Sequence, residues 1–427
     1  MLVPTTHDYV AARARVKEAM ADRFPLKLFL FAFFGWVFDF YDLVLLGFLK
    51  DAVGKELGFS HATEGWVLGA ALGASGIGGI VAGRLADRFG KRRVMAATVL
   101  LYSLGSLICG LAPNIAVFIV GRAIVGLGVG GEWAIGHGML AEAVAPKARG
   151  RASAFLQAGE PFGVMLAALM GFVVMPRVGW RAVLIGSSVT ALLAVFVRRS
   201  LSLPDHPAER APFAQLLEAP VLGRVVRAFF LGAFKLGTYW TCYTWLPSFL
   251  RNEMHQSIGR SMTWVLTAQV GQLLGMLSFG WVSDRVGRRP AFCVYSLLTA
   301  TAIAPLAYAW TTLAAHPALF WTAMFGLGVG SGCTAGFGAL LAELFPNELR
   351  TTAMGTTYNL ARGVQLGAPV LVGYVVSIHG LAGGLSVPLL LALATASWVW
   401  VLPETRGIAL SSLAGLRSSI PPKPAKS

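Results

Sequence analysis

The chain has 427 residues, 56% of them hydrophobic and 13% charged, with 50 glycines and a mean hydropathy of +0.66. Soluble globular domains carry about one quarter charged residues, so this balance excludes a soluble enzyme or binding module and points to a polytopic membrane protein. The net charge of +15 raises nucleic acid as a partner, but Lys and Arg are spread over many loops instead of gathering with aromatics on one face, which excludes it.

In chain order, the first 24 residues are polar, include Asp8, Glu18 and Asp22, and hold no apolar core before a small-residue cleavage site, so no signal peptide is expected. From there apolar segments of about 20 residues recur, the length that crosses about 30 Å of hydrocarbon. Twelve are expected, at 27–49, 65–83, 94–112, 115–141, 153–175, 180–197, 226–249, 262–282, 291–309, 317–341, 352–377 and 382–402. Of the 35 Lys and Arg, only Lys50, Lys55, Arg177, Arg181, Arg251 and Arg260 fall on outer loops, and Arg122, Lys235 and Arg362 within spans, if the N-terminus is inside. The positive-inside rule therefore places both termini in the cytoplasm. Cys109, Cys242, Cys293 and Cys333 sit singly in apolar spans, without paired or metal-like spacing, and read as small buried side chains. No metal or cofactor is expected.

The chain is duplicated. "GRLADRFGKRR" at 83–93, after the second span, returns as "GWVSDRVGRR" at 280–289, after the eighth. "LGVGGEW" from Leu127 returns as "LGVGSGC" from Leu327, each followed by Glu, Pro and Arg: Glu142, Pro146, Arg149 and Glu343, Pro346, Arg350. Two repeats in register mean two homologous bundles of six helices, the plan of a secondary transporter with its site between the halves. The expected organisation is a cytoplasmic segment 1–26, an N-terminal bundle 27–197, a cytoplasmic linker 198–225, a C-terminal bundle 226–402 and a tail 403–427.

With these repeats in view, the sequence resembles the major facilitator superfamily over essentially its whole length. "GRLADRFGKRR" is similar to that family's loop between spans two and three, its echo falls where the family repeats it, and "GRAIVGLGVGG" at 121–131 is similar to the family's fourth-span motif with an intramembrane Arg. The resemblance implies an all-α integral membrane protein, twelve transmembrane helices in two pseudo-symmetric six-helix bundles. Apart from it, Gly83 and Gly90 permit close packing and a tight turn, and Asp87, Arg88, Asp284 and Arg285 at helix ends can latch a cytoplasmic gate. Lys91, Arg92, Arg93, Arg288 and Arg289 are read as setting topology alone.

A central Asp facing lipid costs about 2.5–3.5 kcal/mol on insertion scales, so such residues face a cavity or a partner. Asp39 and Asp42 in "FDFYD" are three apart on one helical face, where two carboxylates disfavour joint ionisation and one can hold a proton. A structural helix–helix hydrogen bond is the alternative. Arg122 and Glu132 in span four, and Gln157 and Glu160 in span five, extend the set: Arg122 can pair with a facing carboxylate, and Glu160 can pair with Arg122 or bind a proton. Gly126, Gly128, Gly130 and Gly131 let a neighbouring helix approach. In the second half the intramembrane polar residues are Lys235 and Tyr239 on span seven and Tyr358, Asn359, Arg362 and Gln365 on span eleven. Acids thus cluster in the first half and bases in the second. A buried base without a fixed partner needs a counter-charge that an anionic substrate can supply. Tyr239 is assigned to the cavity and Trp245 to the interfacial aromatic belt.

Within the superfamily, "FDFYD" with "GVGGEW" resembles the proton-coupled symporters of organic acids, among them aromatic-acid, sialic-acid and lactate carriers. Phe40 stands where the aromatic-acid carriers typically have Gly, and "LSLPDHPAER" replaces the "PESPRW" of sugar carriers. The expected activity is proton-coupled symport of a small organic anion by a monomer in the lipid bilayer of the cell (inner) membrane. Asp39, Asp42, Arg122, Glu132 and Glu160 are assigned to the proton, and Gln157, Lys235, Tyr239, Tyr358, Asn359, Arg362 and Gln365 to the substrate. Alternatives are a proton-driven exporter of amphipathic drugs, a sugar or neutral-metabolite symporter and a membrane sensor. An enzyme is not expected: "GLGVGG" lies inside a span and not after a strand, so it is no dinucleotide loop.

Overall fold

In lipid every backbone N–H and C=O must be satisfied within its own segment, so the apolar segments fold as helices. The computed structural model describes residues 26–58, 61–145, 148–190, 192, 213–252, 258–346 and 349–407. The segment up to 25, residues 193–212 of the sixth span and linker, Pro146 and the tail from 408 lie outside the description, as do the side chains of Asp87 and Trp245.

Spans one to four are α1 (Leu26–Leu57), α2 (His61–Phe89), α3 (Lys91–Leu111) and α4 (Ile115–Ala143). Span five comprises α5 (Arg149–Gln157) and α6 (Gly159–Leu169), then continues through a π-helical turn (Met170–Val174) into α7 (Met175–Ser187). Gly179, at φ 80°, turns the chain back into span six. The second half contains α8 (Ala219–Asn252), α9 (Ile258–Val286), α10 (Arg288–Tyr308) and the short α11 (Trp310–Ala315). Span ten is α12 (Pro317–Ser331), a 3₁₀ segment (Gly332–Ala335) and α13 (Gly336–Leu344). Span eleven is α14 (Arg350–Gly363) and the start of α15 (Ala368–Gly384), and Gly380, at φ 73°, turns the chain toward α16 (Ser386–Trp398). Helices overrun the apolar segments: α1 continues to Leu57 and α8 begins at Ala219. Hydropathy marks the hydrocarbon, whereas backbone hydrogen bonding carries on into the interface.

Among the described residues, eight stretches are long and apolar enough to cross a membrane, and one of them, Arg149–Thr190, contains two passes. Spans seven, eleven and twelve complete the twelve. The first helix of span eleven, α14, is polar, and Thr351, Thr352, Thr356, Thr357, Asn359 and Arg362 are all buried, turned to protein and not to lipid. The lipid side is covered by stripes such as Leu100, Leu104 and Leu111 on α3 and Val294, Leu297 and Leu298 on α10, which stay exposed.

Span four lies close to two neighbours because its glycines remove bulk. A Cβ on Gly126 would overlap the Ala71 carbonyl of α2, and one on Gly128 would come within 2.7 Å of Thr98 O in α3. In the second half Gly328 meets Ala268 and Gly330 meets Thr299 in the same way. The structural match therefore pairs Gly126 with Gly328, two residues off the match of the "LGVG" strings. Farther along, 12 residue steps separate Gly130 from Glu142 but 11 separate Gly332 from Glu343. The 3₁₀ segment at Gly332–Ala335 turns faster per residue than an α-helix and makes up the difference.

The halves meet along α2 against α14 and along α5 and α6 against α9. A Cβ at Gly83 would lie 3.2 Å from Thr352 Cα, and one at Gly280 would lie 2.8 Å from Ala154 Cβ. Small residues on these lines let the backbones approach where lipid tails supply no hydrophobic drive.

Candidate functional site

Buried charged and polar side chains gather in one layer at and beside the contact between the halves. Asp39, Asp42, Arg122, Glu132, Gln157, Glu160, Lys235, Arg362 and Asn359 are each at most 2% exposed. Three residues along a helix are 300°, so side chains of Asp39 and Asp42 diverge by about 60°, and that angle parts them. Asp39 has Glu132 and, from the other half, Arg362 among its charged neighbours. Asp42 instead points into its own bundle, toward Arg122 and Ser106. The acid pair is thus Asp39 with Glu132 more than Asp39 with Asp42. Gly35, one turn before Asp39, makes the room: a Cβ there would overlap Glu132 Oε1.

Arg122 donates from Nη1 to Asp42 O (3.0 Å) and from Nη2 to Leu43 O (3.3 Å), binding α4 to the main chain of α1. It does not reach Glu160. The chain bends at Ala158 between α5 and α6, and there Trp133 Nε1 donates to Gln157 Oε1 (3.0 Å) and Gln157 Nε2 to Glu160 Oε2 (2.8 Å). Gln272 Nε2 of α9 donates to Glu160 Oε1 at 2.7 Å, closing a chain of amides across the halves. Lys235 and Arg362 are the cations beside Glu160.

In the second half Lys235 Nζ and Arg362 Nη1 and Nη2 are buried without a hydrogen-bond partner among the described residues. The guanidinium lies over Trp36 (5.5 Å) and Tyr358 (5.1 Å), and Tyr358 stacks on Trp133 at 3.6 Å between ring centroids and 8° between planes. Tyr239 meets Phe40 edge-on at 6.0 Å, and Trp240 stacks on Phe40 at 6.1 Å and 22°. Two assigned residues are used in packing. Asn359 Nδ2 donates to Gly130 O (2.7 Å) across the halves, and Gln365 Nε2 donates to Ala233 O (3.1 Å) and Ala361 O (2.8 Å), joining spans seven and eleven. Sequence reading passed over Trp36, Trp133, Gln269 and Gln272. For the last two the signal was present, amides three apart in an apolar span.

The halves touch on both sides of this layer, through Phe40 and Tyr239 on one side and through Ser153 Oγ donating to Ala335 O (2.9 Å) on the other. Two small cavities of about 10 Å³ each, room for little more than a water, lie beside Glu132, Trp36 and His137 and between His137, Arg149, Ser153 and Gly338. The His137 ring lies tilted against Trp133, with centroids 4.6 Å apart and 32° between planes.

At the end bearing the basic repeats the halves are cross-tied. Gly90 and Gly287, at φ 96° and 108°, make the tight turns that lead into α3 and α10. Lys91 pairs with Glu142 at 2.7 Å and Arg288 with Glu343 at 2.9 Å, the same device in each half. Arg350 Nη1 reaches Glu142 of the other half at 3.7 Å, and Arg151 pairs with Asp284 at 3.7 Å. Asp284 also accepts from Arg288 Nη1 at 2.6 Å. Arg288, read from sequence as a topology signal, is therefore the hub. Arg285 lies over Trp281 (5.5 Å) and Arg88 over Phe89 (5.0 Å), on the flanks of the network.

The sequence profile of the Major Facilitator Superfamily matches residues 28–364 and 228–422. A "probable 4-methylmuconolactone transporter" of Cupriavidus pinatubonensis is 31% identical over 93% of this chain and 95% of its own length. The sialic acid transporter NanX of Escherichia coli is 28% identical over 82% and 87%, and the gentisate transporter of Corynebacterium glutamicum is 28% identical over 79% of each chain. Among solved structures, the proton:xylose symporter XylE bound to 6-bromo-6-deoxy-D-glucose superposes with a TM-score of 0.73 at 19% identity, covering 93% of this chain and 99% of that one.

Proposed function

This chain belongs to the major facilitator superfamily of membrane transporters, and on that premise we propose that it moves a small organic anion together with protons by alternating access, across the inner membrane with both termini in the cytoplasm. One observation carries the reading: Lys235 and Arg362 from one half and Asp39, Glu132 and Glu160 from the other converge in one buried layer, with both cations lacking a hydrogen-bond partner among the described residues. Cations with unused donors in low dielectric favour an anionic ligand. Carboxylates beside them supply groups that take up and release a proton as the halves move. Relatives named for muconolactone, sialic acid and gentisate support an organic acid as cargo.

In this reading Asp39, facing Glu132 and Arg362, is the proton carrier. Trp133, Tyr358 and Tyr239 flank the ligand's organic body, and Asn359 and Gln365 hold the helices that present it. Reconstituted in liposomes, Asp39→Asn is expected to abolish accumulation driven by an imposed pH gradient while sparing counterflow of labelled substrate. Equal loss of both activities overturns the coupling role. Transport indifferent to Lys235→Ala and Arg362→Ala favours export of amphipathic cations instead.

A further inference from the structure

Glu160 differs from the other acids of the layer in how it is held. Among the described residues the carboxylate oxygens of Asp39, Asp42 and Glu132 make no hydrogen bond, whereas both oxygens of Glu160 do. Its donors come from opposite halves: Gln157 at 2.8 Å and Gln272 at 2.7 Å. Lys235 and Arg362 are the charged groups facing it, and Tyr239, Tyr243 and Tyr358 are the phenols that face it. Amide donors, an ammonium and a guanidinium around one carboxylate are the set that grips the carboxylate of a ligand. Here the amides are taken by a side chain of the protein itself, and the cations keep unused donors.

We propose that Glu160 is an internal stand-in for the carboxylate of the substrate. It occupies Gln272 and the field of Lys235 and Arg362 when the halves are closed without cargo, and an incoming organic anion displaces it. The inference rests on the organic-anion reading above. Its consequence is competition for the same donors: Gln272 Nε2, already held by Glu160 Oε1, cannot serve a cargo carboxylate at the same time, and the place beside Lys235 and Arg362 is filled by one or the other. A displaced Glu160 therefore takes a proton to remain buried, and binding of cargo and of proton become one event. With its own carboxylate in place, the empty carrier satisfies the same donors and closes without cargo.

The experiment is calorimetric titration of purified wild type, Glu160→Gln, Glu160→Ala and Gln272→Ala at pH 7.5 with gentisate, nicotinate and cis,cis-muconate as probes, each variant first checked by thermal unfolding. Removal of an internal competitor raises the fraction of protein able to bind, so the acid bound by wild type is expected to bind both Glu160 variants roughly threefold or more tighter. Gln272→Ala is expected to bind it more weakly. A purely structural tie between halves predicts no gain in affinity. Unchanged or weaker binding by the folded Glu160 variants, with binding by wild type intact and lost in Lys235→Ala, overturns the stand-in and leaves the organic-anion reading standing. Binding of none of the three acids by wild type, or equal binding by wild type and a Lys235→Ala/Arg362→Ala variant, overturns that reading and the stand-in with it.

Discussion

Arg122 is a buried charge held by main chain. Its two bonds run to the carbonyls of Asp42 and Leu43, oxygens already used within α1, and a forked guanidinium can reach both where an ammonium cannot. Arg122→Lys is therefore expected to lower unfolding stability by about 1.5–3 kcal/mol, the range for hydrogen bonds to charged groups, read by thermal denaturation in detergent. A fully stable Arg122→Lys would show that these bonds are not what holds α4 to α1. Asp42, which faces Arg122 and not the other half, is by the same geometry a poorer candidate than Asp39 for contact with cargo. Counting residues puts both acids on one face of span one, and sequence reading already leans toward Asp39. Which helix stands opposite each acid is not contained in "FDFYD": Glu132 and Arg362 face Asp39, and Arg122 faces Asp42.

Within elements, span four and the start of α10 give contrasting tests. A side chain on Gly126 must displace the Ala71 backbone, while Gly47 on α1 is exposed and has nothing within 4 Å of an added Cβ. Gly126→Leu is expected to cost about 1–3 kcal/mol or more by overpacking and to reduce the folded yield, whereas Gly47→Ala is expected to be neutral or stabilising by up to about 1 kcal/mol. Comparable melting of the two would refute the packing account. At α10, Glu404 caps the helix: Oε1 accepts from the N–H of Arg288 (2.8 Å), Thr405 and Arg406 (both 3.0 Å), and Oε2 accepts from that of Arg289 (3.1 Å). Burial pushes the carboxyl up, but the four main-chain donors outweigh it and hold it below the usual range. A depressed acid stabilises the fold above its ordinary range and loses that contribution as pH falls through its lowered value. Glu404→Gln is expected to cost about 0.5–2 kcal/mol at pH 7, with the gap to wild type closing at acidic pH. A gap independent of pH would mean that charge at this cap is irrelevant. The glycines of span four were legible as packing residues. Their register against the second half was not: the matching strings pair Gly128 with Gly328, whereas the backbones they pack against pair Gly126 with Gly328.

For the whole molecule, alternating access requires the basic end to part. In a background with the four native cysteines replaced, Gly83→Cys with Thr352→Cys places the pair within disulfide reach, a Cβ at position 83 lying 3.2 Å from the Cα of residue 352. Oxidation is expected to stop counterflow, and reduction to restore it. Transport that survives complete cross-linking would show that α2 and α14 need not separate at this end.

The sequence by itself determined the membrane class, the duplication, the twelve helical passes and the gathering of acids in one half and bases in the other, because each follows from composition or periodicity along a single chain. Only the tertiary structure decided that Asp39 faces Glu132 and Arg362, that Arg288 and not Arg285 is the hub of the basic end, that Asn359 and Gln365 serve packing, and that Gln272 reaches Glu160 from the far bundle. Those partners lie up to hundreds of residues apart, and a side chain's role in a low-dielectric interior is set by the group placed against it. That placement follows from how two bundles dock, through small residues and turns whose effect on rotation accumulates over whole helices.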